Sequence, residues 1–283
     1  MFMLYFIGAQ VRFNKKLKAI WQQNNSLVCV GLDPDLSRFP EQLKNISESI
    51  FHFNKAIIDA THDLVCAFKP QIAYFSAVSA EKQLEQTIDY IKKFYPHIPV
   101  ILDAKRGDIG STAQKYAIEA FERYGVDAVT VNPYLGRDSV EPFLSYKDRG
   151  TILLCRTSNP GAGDVQDLEI DGEPLYKRIA QVASKHWNTN KNCLLVVGAT
   201  WPSQMLEIRK IVGDMPLLVP GVGAQGGDVE AMVKSGQTND GTGMIISSSR
   251  SVLYASSGGD FAEAARAVAL ELRDEINRYR KIV

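Results

Sequence analysis

Val100-Ile-Leu-Asp103-Ala-Lys105-Arg-Gly-Asp108 is an apolar run of strand type that ends abruptly in acid, base and acid. Residues two apart on a strand share a face, so Asp103 and Lys105 point the same way. A cation and a carboxylate aimed together out of a buried strand are costly to place there, and chemistry explains them more readily than stability does. Arg106-Gly107 then breaks the strand, and Asp108 follows in the loop.

The rest of the chain repeats the apolar part of this design. Seven further short runs, Leu27–Leu32, Val65–Phe68, Ala128–Val131, Thr151–Cys155, Cys193–Val197, Pro216–Val219 and Met244–Ile246, are mostly rich in Val, Ile and Leu with little alternation. That is how parallel strands buried on both faces read. Between the runs, apolar residues recur at helical spacing over Ile46–Leu64, Ala80–Phe94, Ser111–Tyr124, Leu175–Trp187, Pro202–Val212, Asp228–Lys234 and Phe261–Arg280, with a shorter candidate at Ser139–Tyr146. The Ser-Thr pair at 111–112 suits a helix cap, and Pro202 suits a first helical turn. An extra helix, roughly Val11–Gln23, precedes the first strand. Eight strand–helix units in a chain of this length predict an α/β fold of the (β/α)8 TIM-barrel type. It forms a single domain over residues 1–283, in which 1–26 is an N-terminal segment and helix packing on the barrel. A doubly wound open sheet would put GxGxxG after the first strand, where Gly31-Leu-Asp33-Pro-Asp35 stands instead.

Composition excludes several function classes. The 283 residues are 45% hydrophobic and 23% charged, and the 32 basic and 32 acidic residues cancel. Bulk electrostatics therefore gives no sign of a nucleic-acid or membrane partner, although one local site can still be positive. Cys29, Cys66, Cys155 and Cys193 lie far apart in apolar runs without CxxC spacing, and His52, His62, His97 and His186 have no paired ligand spacing. No metal site is expected, and buried free thiols fit a reducing cytoplasm. The apolar start Met1–Ile7 is short, lacks the basic region of a signal peptide and is followed by Arg12, Lys15, Lys16 and Lys18. No run reaches the roughly eighteen apolar residues of a membrane helix, so a soluble, cytoplasmic protein is expected.

In a barrel, catalytic groups sit at the C-terminal ends of the strands. Strand one ends in Asp33, strand two in Lys69, strand three in Asp103 and Lys105, and strand five in Arg156-Thr157-Ser158-Asn159. Alternating signs in the array Asp33, Lys69, Asp103 and Lys105 hold the lysines protonated and the aspartates ionised. An ammonium held in that way can donate a proton, but it makes a poor Schiff-base nucleophile. After strand seven comes Pro220-Gly-Val-Gly-Ala-Gln225-Gly-Gly-Asp228, and after strand eight Ser247-Ser-Ser-Arg250-Ser251. Loops in these two positions of a barrel frequently bind phosphate. Glycines let backbone N–H groups approach, Arg250 offers a bidentate fork, and the Gln225 amide can donate. The loop Asn159–Glu173 is the longest irregular piece and a candidate mobile lid. No role is read for Gln237–Gly243.

Together these residues resemble the orotidine 5′-phosphate decarboxylase family, in its longer-chain bacterial branch. The resemblance covers about Val30 to Ser256. It rests on Asp103-x-Lys105-x-x-Asp108, Val131-Asn-Pro-Tyr-Leu-Gly136, Arg156-Thr-Ser-Asn-Pro-Gly161, Val197-Gly-Ala-Thr200 and Pro220–Asp228. It implies a cofactor-independent conversion of orotidine 5′-monophosphate to UMP and carbon dioxide in pyrimidine biosynthesis. Lys105 would protonate C6, and Asp103 would lie by the substrate carboxylate. Asp33 and Lys69 would bind the ribose hydroxyls, Ser158 the pyrimidine edge, and Gln225 and Arg250 the phosphate. It further implies a homodimer in which Asp108, with Thr112 beside it, reaches the neighbouring site. Where that branch often has Asn-Ser-Ser-Arg-Gly, this chain has Ser247-Ser-Ser-Arg-Ser251, so backbone geometry at Ser251 is a point to check. The alternative is a magnesium-dependent keto-sugar-phosphate decarboxylase or hexulose-phosphate synthase. Those share the Asp-x-Lys-x-x-Asp motif but need a further carboxylate near strand two, where Lys69 stands. A Schiff-base aldolase and a catalytically dead phosphate-binding protein are the remaining rivals.

Overall fold

The computed structural model describes residues 12–222 and 228–281. The apolar tail Met1–Ile7 and Gln225 lie outside these described residues. Eight parallel strands form the sheet: β1 Val28–Leu32, β2 Ala67–Pro70, β3 Ile101–Arg106, β4 Ala128–Val131, β5 Gly150–Arg156, β6 Cys193–Val197, β7 Leu217–Pro220 and β8 Met244–Ser248. Their order is β2-β1-β8-β7-β6-β5-β4-β3. Parallel bridges Phe68↔Val100 and Gln71↔Asp103 then join β2 to β3 and close the barrel. Every residue of β1, β2, β4, β6 and β8 is buried, as continuous apolar runs between a filled interior and a helical jacket require.

The strands run further than the apolar runs do. β2 continues through Lys69 to Pro70, β3 to Arg106, β5 to Arg156 and β8 to Ser248. Ladder hydrogen bonds depend on the backbone, so pairing persists where the side chains turn polar at the rim. Asp103 and Lys105 thus sit on β3 itself, and only Asp108 lies in the loop.

Helices cover the outside, among them Ser49–Thr61, Glu81–Phe94, Gly110–Ile118, Pro202–Val212 and Phe261–Tyr279. The helix after β3 starts at Gly110 with Ile109 as its cap residue, so Ser111 and Thr112 lie in its exposed first turn and do not cap it. The helix Val229–Gly236 is capped by Asp228, whose Oδ1 accepts from Ala231 N–H at 3.0 Å. Helix Phe13–Gln23 lies across the N-terminal end of the barrel. It buries Phe13, Leu17, Ile20 and Trp21, and its Phe13 N–H donates to Asp148 O at 2.9 Å. Among the described residues no helix is long and apolar enough to cross a membrane.

Two sequence readings change here. Asn159–Glu173 contains a 3-10 turn Pro160–Ala162, a one-turn helix Gly163–Gln166, and the start of a two-residue hairpin pairing Glu169–Ile170 with Glu173–Pro174. Gln237–Gly243 is part of the floor of the barrel. Asp240 Oδ1 accepts from Thr238, Thr242 and the Thr242 N–H, and the Gln237 side chain bridges Tyr279 O and Lys281 N–H.

Candidate active site

Strands β1, β2 and β3 bring three charged side chains into contact at the C-terminal mouth of the barrel. In the pairing register Gly31 faces Lys69 across β1 and β2, and Gln71 faces Asp103 across β2 and β3. Lys69 Nζ donates to Asp103 Oδ2 at 2.9 Å, and Lys105 Nζ donates to Oδ1 at 2.7 Å. Asp103 therefore bridges two ammonium groups, as the shared face of residues 103 and 105 predicts. The two lysines differ in access. Lys69 is buried, whereas the side chain of Lys105 is 48% exposed to the mouth.

Burial alone would raise the Asp103 pKa, but the charges of Lys69 and Lys105 override it and hold the carboxyl well below the usual carboxylate range. Burial alone would lower the Lys69 pKa. The charges of Asp103 and Asp33 reverse that effect and raise it above its ordinary value. Below it, burial pushes the Cys29 thiol up to about 12. Cys29 is therefore a neutral thiol and no nucleophile, and all four cysteines are free and buried. Among the described residues no group of three or more His, Cys, Asp or Glu is placed to hold a metal.

Asp33 lies just past β1. Its main-chain O accepts from Tyr254 Oη at 2.9 Å, and the same hydroxyl accepts from Asp35 N–H at 2.6 Å. Asp33 Oδ1 is buried with no hydrogen-bond partner among the described residues, an acceptor left for something else. Ser158 sits half-buried in the loop after β5. Gly198 permits this approach, because a Cβ there would meet Ser158 Cβ at 2.7 Å. Arg250 begins the short helix Arg250–Leu253 after β8, exposed and without an ion-pair partner among the described residues. Ser251 takes ordinary helical backbone, and its hydroxyl lies 2.7 Å from that of Ser248, so the position makes no demand for glycine. Among the described residues, Asp108 and Thr112 make no side-chain hydrogen bond or ion pair with the Lys69–Asp103–Lys105 cluster. Asp108 Oδ1 accepts from Ile109 N–H at 2.8 Å, and Thr112 is exposed.

Arg156 has a different role from the one its strand-end position suggests. It is 1% exposed and spans from Gln204 Oε1 at 2.8 Å to Asp167 Oδ2 at 3.1 Å, with its guanidinium 4.4 Å from the Trp201 ring. It anchors the segment after Asn159. One residue of the site gave no sequence signal. Thr130 on β4 donates to Asp103 Oδ1 at 2.9 Å and accepts from Ala104 and Lys105 N–H, each at 3.0 Å. A threonine within Ala-Val-Thr-Val is an ordinary strand former, and only its inward direction beside Asp103 distinguishes it.

Comparison with known proteins agrees with this geometry. The family model described as orotidine 5′-phosphate decarboxylase / HUMPS family matches residues 26–268. The orotidine 5′-phosphate decarboxylase of Cellvibrio japonicus is 72% identical over 94% of this chain and 98% of its own length. The solved structure of Leishmania donovani OMP decarboxylase superposes with a TM-score of 0.83 at 36% identity, covering 95% of this chain and 99% of that one. L. donovani UMP synthase gives a TM-score of 0.85 at 38% identity, with 95% of this chain covering 57% of that longer one. A match through nearly the whole barrel, together with two lysines held on one aspartate at its mouth, places this chain in the orotidine 5′-phosphate decarboxylase family.

Proposed function

We propose that this chain is a carboxy-lyase that converts orotidine 5′-monophosphate to UMP and carbon dioxide without a metal or organic cofactor. The observation that carries the reading is the Lys69–Asp103–Lys105 bridge, in which one carboxylate fixes two cations at the barrel mouth. Breaking the C6–carboxylate bond leaves an electron pair at C6 with no adjacent carbonyl to delocalise it. A preorganised ammonium stabilises that localised charge electrostatically and then transfers its proton to C6. Lys105 is the donor, since its side chain reaches the mouth while Lys69 is buried. The neutral amine left on Lys105 regains its proton from solvent. Asp103 lies near the departing carboxylate and keeps both lysines in place.

The remaining roles are those that the family resemblance implies. Asp33, with its unpartnered Oδ1, and Lys69 take the ribose hydroxyls. Ser158 takes the pyrimidine edge. Arg250 and Gln225 take the phosphate, whose binding energy is realised in the transition state of a reaction some distance away. Asp108 and Thr112 serve the site of a second copy in a homodimer. In support, the loops after β3 and β4 expose Ile109 (54%), Tyr134 (79%) and Leu135 (48%), an apolar surface suited to a partner. The magnesium-dependent alternative is disfavoured by the Lys69 ammonium 2.9 Å from Asp103, which repels a cation where a further carboxylate would be required.

The test follows the ultraviolet absorbance of orotidine 5′-monophosphate in EDTA. Wild type should remove the substrate band and Lys105→Ala should not; an inert wild type would sink the assignment. Mixing Lys105→Ala with Asp108→Ala tests the shared site. Hybrid dimers would rebuild one intact site and restore activity, and no restoration would remove the cross-subunit role.

A further inference from the structure

Between β3 and β4 the pairing register jumps. Leu102 pairs with Val129, but the next pair is Arg106 with Val131. Four steps along β3 thus match two along β4, so β3 bulges over Asp103, Ala104 and Lys105. Two consequences follow from the backbone. The N–H groups of Ala104 and Lys105 lose the regular ladder, and Lys105 adopts φ +45°, a left-handed conformation that is strained for a non-glycine residue. A strained lysine at a functional site persists only if its surroundings hold it there.

We infer that the Thr130 hydroxyl is the positioning group that holds Lys105 in this conformation and aims its ammonium. The hydroxyl uses its whole hydrogen-bonding capacity on one short segment. It accepts from Ala104 N–H and Lys105 N–H at 3.0 Å each and donates to Asp103 Oδ1 at 2.9 Å. Asp103 Oδ1 is also the oxygen that receives Lys105 Nζ at 2.7 Å. A single atom therefore fixes the lysine at both ends, the backbone directly and the ammonium through the carboxylate. Thr130 itself is buried, and its methyl and χ1 are locked by the strand. Loss of the hydroxyl strands two partly buried N–H groups and lets residue 105 relax towards ordinary φ, moving Nζ away from its acceptor. Thr130 acts through Lys105 and Asp103, and this role rests on the decarboxylase reading above.

Thr130→Val keeps the shape and removes the hydroxyl, Thr130→Ser keeps the hydroxyl, and Thr130→Ala replaces the valine variant if that one does not fold. On orotidine 5′-monophosphate, Thr130→Val should lower kcat about 100-fold, the scale carried by a misplacement of about 1 Å at a reacting group. KM and UMP affinity should stay near wild type, because ribose and phosphate are held elsewhere, and Thr130→Ser should recover most of kcat. A loss confined to KM, or equal losses in the serine and valine variants, would overturn the inference. Amide hydrogen exchange reads the clamp without any substrate. Ala104 and Lys105 should be protected in wild type and in Thr130→Ser and should exchange freely in Thr130→Val. Protected amides in an inert wild type would leave the clamp standing while removing the decarboxylase reading. Unprotected amides in an active wild type would do the reverse.

Discussion

At the floor of the barrel, the buried Arg209 guanidinium donates to the main-chain O of Gly236, Gly213, Met215 and Gly243 at 2.6–2.9 Å, and Asp127 binds Lys16 and the Val100 N–H. At the mouth, charge is also buried, but part of it stays uncommitted. The Lys105 side chain is half exposed, Asp33 Oδ1 has no partner among the described residues, and Arg250 stands on its short helix without an ion pair among them. The floor uses its charges to tie chain segments together. The mouth uses Asp103 and Thr130 to hold Lys69 and Lys105 in place. Burial and charge alone do not separate a structural site from a chemical one; among the described residues the one buried carboxylate oxygen without a hydrogen-bond partner, Asp33 Oδ1, lies at the mouth.

The largest expected effect falls where capacity is most open. Lys105→Ala should lower kcat/KM by at least about 10⁴-fold, combining lost general-acid and electrostatic contributions. Its unfolding free energy should stay within about 1 kcal/mol of wild type, because the side chain is half exposed and Asp103 keeps Lys69 and Thr130. Paired kinetics and urea unfolding check this, and a large stability loss would break the contrast between the two ends. Arg209→Met should do the opposite. Four carbonyls lose their donor at once, which should cost about 3–5 kcal/mol of stability while kcat of the folded enzyme is kept. Reduced kcat in fully folded Arg209→Met would mean that the floor is coupled to the chemistry. Arg250→Ala should lower kcat/KM by about 2–4 kcal/mol-equivalents of phosphate contact. Its melting temperature should not move, and full efficiency would contradict the phosphate role.

The same contrast explains what the sequence could reveal. The eight strands were legible because parallel strands buried on both faces have no polar alternation to disguise them. Pro202 marked its helix start because the first turn is where proline fits a helix best. The pairing of Asp103 with Lys105 was legible from period two alone, and it survives although Lys105 leaves ordinary strand backbone. Arg156 misled, since a charged strand end looks the same whether its charge is free or already shared with Asp167, Gln204 and Trp201, and those partners come from the segment after Asn159 and from the start of the helix Pro202–Val212. Thr130 was invisible because its function depends on the β3–β4 register jump, which no single strand encodes. The floor role of Gln237–Gly243 was hidden for a related reason, because its partners lie some forty residues away at the C-terminal helix.

The smallest expected effect concerns pH, and it follows from the signs of two shifts. Asp103 has a depressed folded pKa, so its contribution to stability is fully present above the ordinary carboxylate value of about 3.9 and is lost only as pH falls through the lower folded value. Lys69 has a raised folded pKa, so its contribution is fully present below about 10.4 and is lost only as pH rises beyond that. Between these limits neither group changes charge in either state. The stability difference between wild type and Asp103→Asn should therefore not decline from about pH 7 to pH 5 and should shrink in stronger acid, whereas at higher pH the variant's Lys69, deprived of Asp103, sheds its proton more readily and narrows the difference. Urea unfolding of both proteins across that range measures it. A difference that already declined between about pH 7 and pH 5 would mean that Asp103 titrates near the ordinary carboxylate range. The bridge to Lys69 and Lys105 would then be too weak to hold an ammonium ready, and the mouth would be no better organised for proton transfer than any exposed ion pair.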